Sequence, residues 1–390
     1  MTIIRFNKKV NQLITISLII NLASLLSGVF INIFLLKITS DVMSIVKYNL
    51  IMYFTITLLF PLFSYISKKY SVTLVFRISI IFQILYYASI ILSGSSVTDY
   101  IYLFGILSGI GSAANANSTN QLTVQLTDAN NRSGYLSISG TLNSIAAMIS
   151  PVLSGVIINL FDELVGYYII FAISILLYII AFVMSAWFRE KMPAREFHFF
   201  KVIRTYNMKL LGVNISQFFI GIRDGIFGFL INIIVFDIVQ KESIFGATTA
   251  FSKLIVVITF WLGSRYIRGN NIFVHFKYSA WLMFAAPIPL FFLTSQWGVV
   301  AQIVMDSIAA PIVAITLNSL MYNKVESIVE KDNLEELLAI KEVWLNIGKA
   351  MGVAGFMLLY PVLSTISIYI IVLVTNTCYI FSYFIYKYMK

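Results

Sequence analysis

A chain of 390 residues with 59% hydrophobic and only 11% charged side chains, and a mean hydropathy of +0.89, is not a soluble protein, in which about a quarter of residues are charged. Its net charge of +10 does not require nucleic acid, because basic residues between apolar spans face anionic lipid headgroups. At about 20 residues per crossing, this length holds roughly twelve membrane helices joined by short loops.

Twelve apolar stretches follow one another along the chain, at 12–37, 48–67, 74–92, 100–126, 135–158, 164–187, 210–236, 247–267, 274–294, 297–322, 340–363 and 366–387. The first is too long for the core of a signal peptide and no small-x-small site follows it cleanly, so it reads as a retained helix. The third and fourth are parted by the turn cluster Ser93-Gly94-Ser95-Ser96. Runs this long and this continuously apolar exclude barrel strands, which alternate over about ten residues.

The loops fix an orientation. With the N-terminus inside, the inner loops and ends hold 21 Lys and Arg against three outside, Lys37, Lys47 and Lys241. That asymmetry places both termini in the cytoplasm and the protein in the cell membrane. The largest basic cluster, Arg189 to Lys209, divides the chain. Within it, Phe197, Phe200 and Ile203 recur at helical spacing beside Lys201 and Arg204, a pattern that suits either a short helix on the inner membrane surface or a solvated linker.

The two sides of this loop repeat each other. Ser27-Gly28-Val29-Phe30 matches Asp224-Gly225-Ile226-Phe227, Asn120 matches Asn318, Ser64 matches Gly263, and Leu142-Asn143 matches Leu345-Asn346, all at offsets of 197 to 203 residues. Four matches in chain order predict two parallel six-helix halves, with a binding site between them near the midplane. The expected domains are residues 1–188, the cytoplasmic loop 189–209, and residues 210–390.

This layout resembles the major facilitator superfamily over the whole chain. The family's loop between helices 2 and 3 reads Gly-x-x-x-Asp-Arg-x-Gly-Arg, and the corresponding stretch here is Ser64-Tyr65-Ile66-Ser67-Lys68-Lys69-Tyr70-Ser71. Lys68 stands at the acid position, and Lys69 keeps the charge type of the arginine. The second-half counterpart keeps Gly263 and Arg268 but has Ile267 in place of the acid. Ser150-Pro151-Val152-Leu153-Ser154-Gly155 is similar to the end of the family's antiporter motif, although small residues there also suit plain helix packing. Gly-Ile-Arg-Asp-Gly-Ile-Phe at 221–227 resembles a poorly characterised branch of the superfamily from low-GC Gram-positive bacteria. The resemblance implies an all-α membrane protein of twelve transmembrane helices in two pseudo-symmetric halves, with helices 1, 4, 7 and 10 lining a central cavity.

The polar residues independently favour those four stretches. Asn21 and Ser27 lie in the first, Asn117, Asn120 and Gln121 in the fourth, and Asn318 in the tenth. Stretches 3, 6, 9 and 12 are more uniformly apolar and suit lipid-facing positions. Five ionisable residues also fall within apolar stretches: Arg223, Asp224, Lys253, Asp306 and Lys349. A charge at the bilayer centre costs about 2.5–3.5 kcal/mol even on the mildest scale, and such residues mark substrate or proton pathways. Arg223, Asp224 and Asp306 lie deepest, and they are the candidates for substrate binding or proton coupling, with an Arg223–Asp306 pair across helices. The opposing reading is a buried ion pair that fixes helix register. Lys349 is a further cavity candidate, and it also lies near enough to an end to snorkel.

Enzyme chemistry finds no support. His198 and His275 have no Cys or acid spaced for zinc. Gly348-Lys349 lacks the upstream glycine of a nucleotide-binding loop, position 343 being Val343. The single cysteine, Cys378, cannot form an intramolecular disulfide. No cofactor, metal or nucleic acid is expected, and the chain is expected to act as a monomer on a small-molecule or lipid substrate. The leading reading is a secondary transporter exporting a small molecule by proton coupling and alternating access. The alternatives are a flippase for a lipid or lipid-linked precursor, and a transport-inactive membrane scaffold or sensor.

Overall fold

The computed structural model describes residues 8–126, 132–161, 164–187, 197–204, 208–267, 271–292, 295–326, 334–362 and 364–389. Residues 189–196 and 205–207 of the expected central loop lie outside the described residues. So do Arg5, Arg268, Lys331 and Lys390 from the charge asymmetry. Every regular element among the described residues is helical.

The chain divides into two compact units. The first comprises Met1–Phe197 together with Lys241–Ala250. Its helices are α1 (Lys8–Gly28), α2 (Ile31–Thr39), α3 (Val42–Lys69), α4 (Val72–Ser93), α5 (Ile101–Leu126), α6 (Arg132–Leu160) and α7 (Val165–Ala186). The second comprises His198–Gln240 and Phe251–Lys390. It holds α8 (Phe199–Arg204), α9 (Met208–Val239), most of α10 (Glu242–Tyr266), α11 (Ile272–Ala285), α12 (Pro289–Phe292), α13 (Ser295–Glu326), α14 (Leu334–Leu359) and α15 (Thr365–Tyr388).

Eleven helical stretches among the described residues are long and apolar enough to cross a membrane, the first being α1 and α2 taken together. The ninth apolar stretch differs from its expected form. It is helical over α11, turns at residues 286–288 and resumes as α12. Pro287 and Pro289 explain the break, since each lacks the amide hydrogen that would continue the ladder. Counting this broken helix, and the first stretch with its own turn at residues 29–30, each of the twelve apolar stretches corresponds to a helix or a broken helix among the described residues.

Helix ends are held by local chemistry. The Asp41 carboxylate accepts from the Met43 amide at 2.9 Å and caps α3. Ser364 caps α15 in the same way, accepting from the Ser367 amide at 3.3 Å. Arg77 on α4 donates from Nη2 to the Ser185 carbonyl at 2.7 Å, satisfying the open end of α7.

Within each unit the helices choose equivalent neighbours. In the first unit α1 packs on α6 and α7, and α4 on α5 and α7. In the second, α9 packs on α14 and α15, and α11 on α13 and α15. Counting by apolar stretch, the pairs 1–5, 1–6, 3–4 and 3–6 recur as 7–11, 7–12, 9–10 and 9–12, the pattern expected of repeated halves. Close approach relies on absent side chains. A Cβ on Gly221 of α9 would run into the Leu345 carbonyl of α14, and one on Gly348 of α14 into the Phe218 carbonyl of α9.

The linker helix is shorter than its pattern suggested and uses another face. In α8 the buried residue is Val202, packed with Leu210, Leu337 and Ile340, with Phe199 and Trp344 against them. Ile203 is exposed. The His198 amide donates to Glu336 Oε1 of α14 at 3.0 Å. The apolar side of α8 is thus covered by α14 and the start of α9, so it is neither laid on lipid nor solvated.

Candidate functional site

The deepest charges of the sequence form one cluster inside the second unit. Arg223 is the sixteenth residue of the 32-residue α9, so its Cα lies about 20–25 Å along the helix from either end. Its guanidinium is buried and gives one hydrogen bond in each of three directions. Nη2 donates to Asp306 Oδ1 of α13 at 2.6 Å. Nη1 donates to Asp224 Oδ1 at 3.3 Å. Nε donates to Asn376 Oδ1 of α15 at 3.0 Å. The Asn376 amide nitrogen in turn donates to the Met283 carbonyl of α11 at 2.7 Å, which fixes the amide with its oxygen toward the arginine. Phe227, one turn further along α9, lies 3.6 Å from the guanidinium carbon to its ring centroid. A cation over an aromatic face is stabilised by the ring quadrupole, more so when desolvated.

The two acids are placed differently. Asp306 is the better partner because it approaches from another helix, whereas adjacent residues on one helix point about 100° apart. Asp224 is the more open, with a side chain 34% exposed against 20% for Asp306. Tyr379 of α15 donates its hydroxyl to Asp224 Oδ1 at 3.2 Å. Lys253 of α10 lies within electrostatic reach of Asp306, and beside them Ser252 and Ser307 pair at 2.8 Å. A guanidinium shared between two carboxylates can move its charge from one to the other without leaving the site.

The polar residues of the first unit bind each other. Asn21 on α1 donates to Asn143 on α6 at 2.8 Å. Ser27 is fully buried and pairs with Ser174 of α7 at 2.6 Å. Asn117 on α5 donates to Ser64 at 2.6 Å and accepts from Ser67 at 2.9 Å, both on α3. Gln121 donates to the same Asn117 oxygen at 3.3 Å. Asn120 and Asn318 are both exposed, and Lys349 is half-buried. Lys69 donates to the Tyr65 hydroxyl at 2.6 Å, and Lys68 lies over the Phe197 ring at 6.0 Å. Where the family loop carries an acid and an arginine, this chain therefore has cations on aromatic rings and a serine–asparagine link. Of the expected site residues, the structure brings together Arg223, Asp224 and Asp306, while Asn117 and Gln121 form a separate group.

Sequence reasoning missed several partners. Stretch 12 was expected to face lipid, yet Asn376 is fully buried and Tyr379 nearly so. The signal was present in Thr375-Asn376-Thr377, a polar triplet inside an apolar run. Glu242 was also missed. It is ion-paired with Lys37 in the first unit and accepts from the Tyr167 hydroxyl at 2.9 Å.

Comparison with known proteins gives a concordant result. The sequence profile of the Major Facilitator Superfamily matches residues 13–386. The chain is 26% identical over 360 residues to YqgE, an uncharacterised protein of Bacillus subtilis (strain 168), covering 92% of this chain and 84% of that protein. Its fold is similar to a bacterial homologue of the iron transporter ferroportin in an inward-facing state, with TM-score 0.73, 13% identity and 98% of both chains covered. It is equally similar to a mutant form of the nucleoside transporter NupG, with TM-score 0.73, 11% identity, and 98% and 100% of the two chains covered.

Proposed function

The chain belongs to the major facilitator superfamily, and we propose that it is a proton-coupled secondary transporter that exports a small molecule by alternating access. One observation carries this reading. A single buried guanidinium is shared between two carboxylates on different helices, at 2.6 and 3.3 Å. Proton coupling needs an acid whose protonation changes with conformation, and an arginine that shifts between two acids supplies that change. Engaged by Arg223, a carboxylate favours its ionised form; released into an apolar surrounding, it favours the protonated form.

The cycle begins with Asp306 ionised and holding Arg223. Movement of the helices transfers the guanidinium toward Asp224, and Asp306 takes a proton from water. The return movement brings Arg223 back and expels the proton on the other side. Asn376 keeps hold of Nε throughout, so the arginine pivots within the site. Export is supported by the likeness of Ser150 to Gly155 to the family's antiporter motif. The loop charges support both termini inside, and the domain boundaries 1–188, 189–209 and 210–390 remain part of this proposal. Asn21, Ser27, Asn117, Asn120, Gln121, Asn318 and Lys349 are proposed to contribute to the substrate path.

The test is transport in reconstituted vesicles, after comparison of exported metabolites in cells with and without the protein has identified a substrate. Asp306→Asn and Asp224→Asn keep shape and remove the titrating group. Loss of pH-gradient-driven transport in at least one supports the reading, and full transport in both returns the charges to a packing role.

A further inference from the structure

Gln302 is the least explained polar residue of the second unit. It is fully buried on α13, and among the described residues neither its Nε2 nor its Oε1 has a hydrogen-bond partner. A buried polar atom left unpaired loses its hydration with nothing in exchange. Such a residue is tolerated where another state of the protein uses it.

Its position shows what that use could be. Gln302 precedes Asp306 by four residues on α13, so the two side chains lie within about 40° of each other around the helix and one turn apart. They share the stripe of Val299, Ala309, Val313 and Thr316, all buried. Gln and Asp at this spacing have Cβ atoms about 5–6 Å apart and can hydrogen-bond directly. In the present structure Asp306 uses only Oδ1, on Arg223. Its Oδ2 makes no hydrogen bond among the described residues.

Resting on the coupling reading above, we propose that Gln302 is the second partner of Asp306, a positioning residue that receives its carboxyl group once Arg223 has released it. The chemistry of the amide suits this role. Arg223 can only donate, so it stabilises the carboxylate alone. A primary amide both donates and accepts. Its Nε2 can donate to the carboxylate, and its Oε1 can accept from the protonated acid. The proton comes from hydronium in the bulk solvent, which becomes water: the carboxylate gains one proton, becomes a neutral carboxyl, and its O–H points at Gln302 Oε1. No other group of the protein need change charge.

The charged and titratable groups around Asp306 are few. From α9 come Arg223 and Asp224, from α10 Lys253, and from α15 Tyr379, reaching it through Asp224. The nearby contribution of α11 is the Met283 carbonyl, which Asn376 occupies. None of these groups combines donor and acceptor on the same helix face as Asp306.

The test is infrared difference spectroscopy of the full chain in lipid vesicles across a pH titration, following the carbonyl stretch of protonated carboxyl groups. Asp306→Asn assigns the band. Gln302→Met keeps length and removes the amide, and Gln302→Leu serves as a second apolar variant should the first fold poorly. The expected result is a band absent in Asp306→Asn and shifted to higher frequency, as for a carboxyl without an acceptor, in Gln302→Met. An Asp306 band that keeps its frequency in both Gln302 variants overturns the role of Gln302 and leaves Asp306 as the coupling acid. If Asp306→Asn removes no band, Asp306 does not take up a proton, and both the coupling reading at that residue and the role of Gln302 fall.

Discussion

Arg223 Nη2 lies 2.6 Å from Oδ1 of Asp306 on a different helix, closer than the 3.3 Å that separates Arg223 Nη1 from its own chain neighbour Asp224. The pair across helices is the stronger one, and it joins α9 to α13 at the depth where an unpaired charge is most costly.

Removing one partner should therefore destabilise the protein more than removing both. Arg223→Ala leaves two carboxylates facing an apolar site, a loss of about 3–5 kcal/mol for a buried pair. The double variant Arg223→Leu with Asp306→Leu should recover most of that loss, since a buried ion pair replaced by packed apolar groups is often neutral. Thermal unfolding in detergent compares the three proteins, and a double variant no more stable than Arg223→Ala would contradict this account of the pair.

Asn376 should matter beyond its size. Asn376→Leu keeps volume but strips the partner from Arg223 Nε and from the Met283 carbonyl, an expected cost of about 1–3 kcal/mol per group left unsatisfied. The same thermal measurement checks it, and an unchanged midpoint would mean that water replaces the amide.

The glycine contacts of α9 and α14 make a third expectation. Gly221→Ala and Gly348→Ala each place a methyl against a backbone carbonyl of the facing helix. Carbonyls cannot rotate away as side chains can, so the helices must part, with an expected cost of about 1–3 kcal/mol. Gly355, around which nothing lies within 4 Å of an added Cβ, is the control. Equal effects at all three positions would refute the packing argument.

Thiol labelling addresses the substrate path. With Cys378 replaced, the chain has no cysteine left. Cysteines at Asn120 and Asn318 should react with a water-soluble maleimide, since both positions are exposed, while those at Ser27 and Asn117, buried in this state, should react only when substrate transport opens the path to them. Protection at Asn120 and Asn318 would mean that they face lipid, and the proposed cavity wall would fail.

The sequence made the fold legible because a lipid-spanning helix is about 20 apolar residues and little else. The departures have local causes. Pro287 and Pro289 break a stretch whose hydropathy alone reads as continuous. Arg223, Asp224 and Asp306 were conspicuous because charge is rare in such runs. Asn376, Tyr379 and Gln302 were not, because a neutral polar residue in an apolar run carries a weaker signal and its partner depends on how helices distant in sequence pack. Glu242 was hidden at the start of α10, where an acid reads as ordinary helix-end chemistry. The partner of α8 was not legible, because a six-residue helix has too few positions for its periodicity to show which face is covered, or by what.

The central claim is that one of the two acids bound by Arg223 carries the coupled proton. It is tested most directly by vesicles containing the purified protein and a trapped pH-sensitive dye, with the identified substrate driven across the membrane. The wild-type protein should acidify or alkalinise the lumen as substrate moves. Asp306→Asn or Asp224→Asn should abolish that proton movement, while substrate exchange without a gradient continues. Undiminished proton movement in both variants would contradict the account.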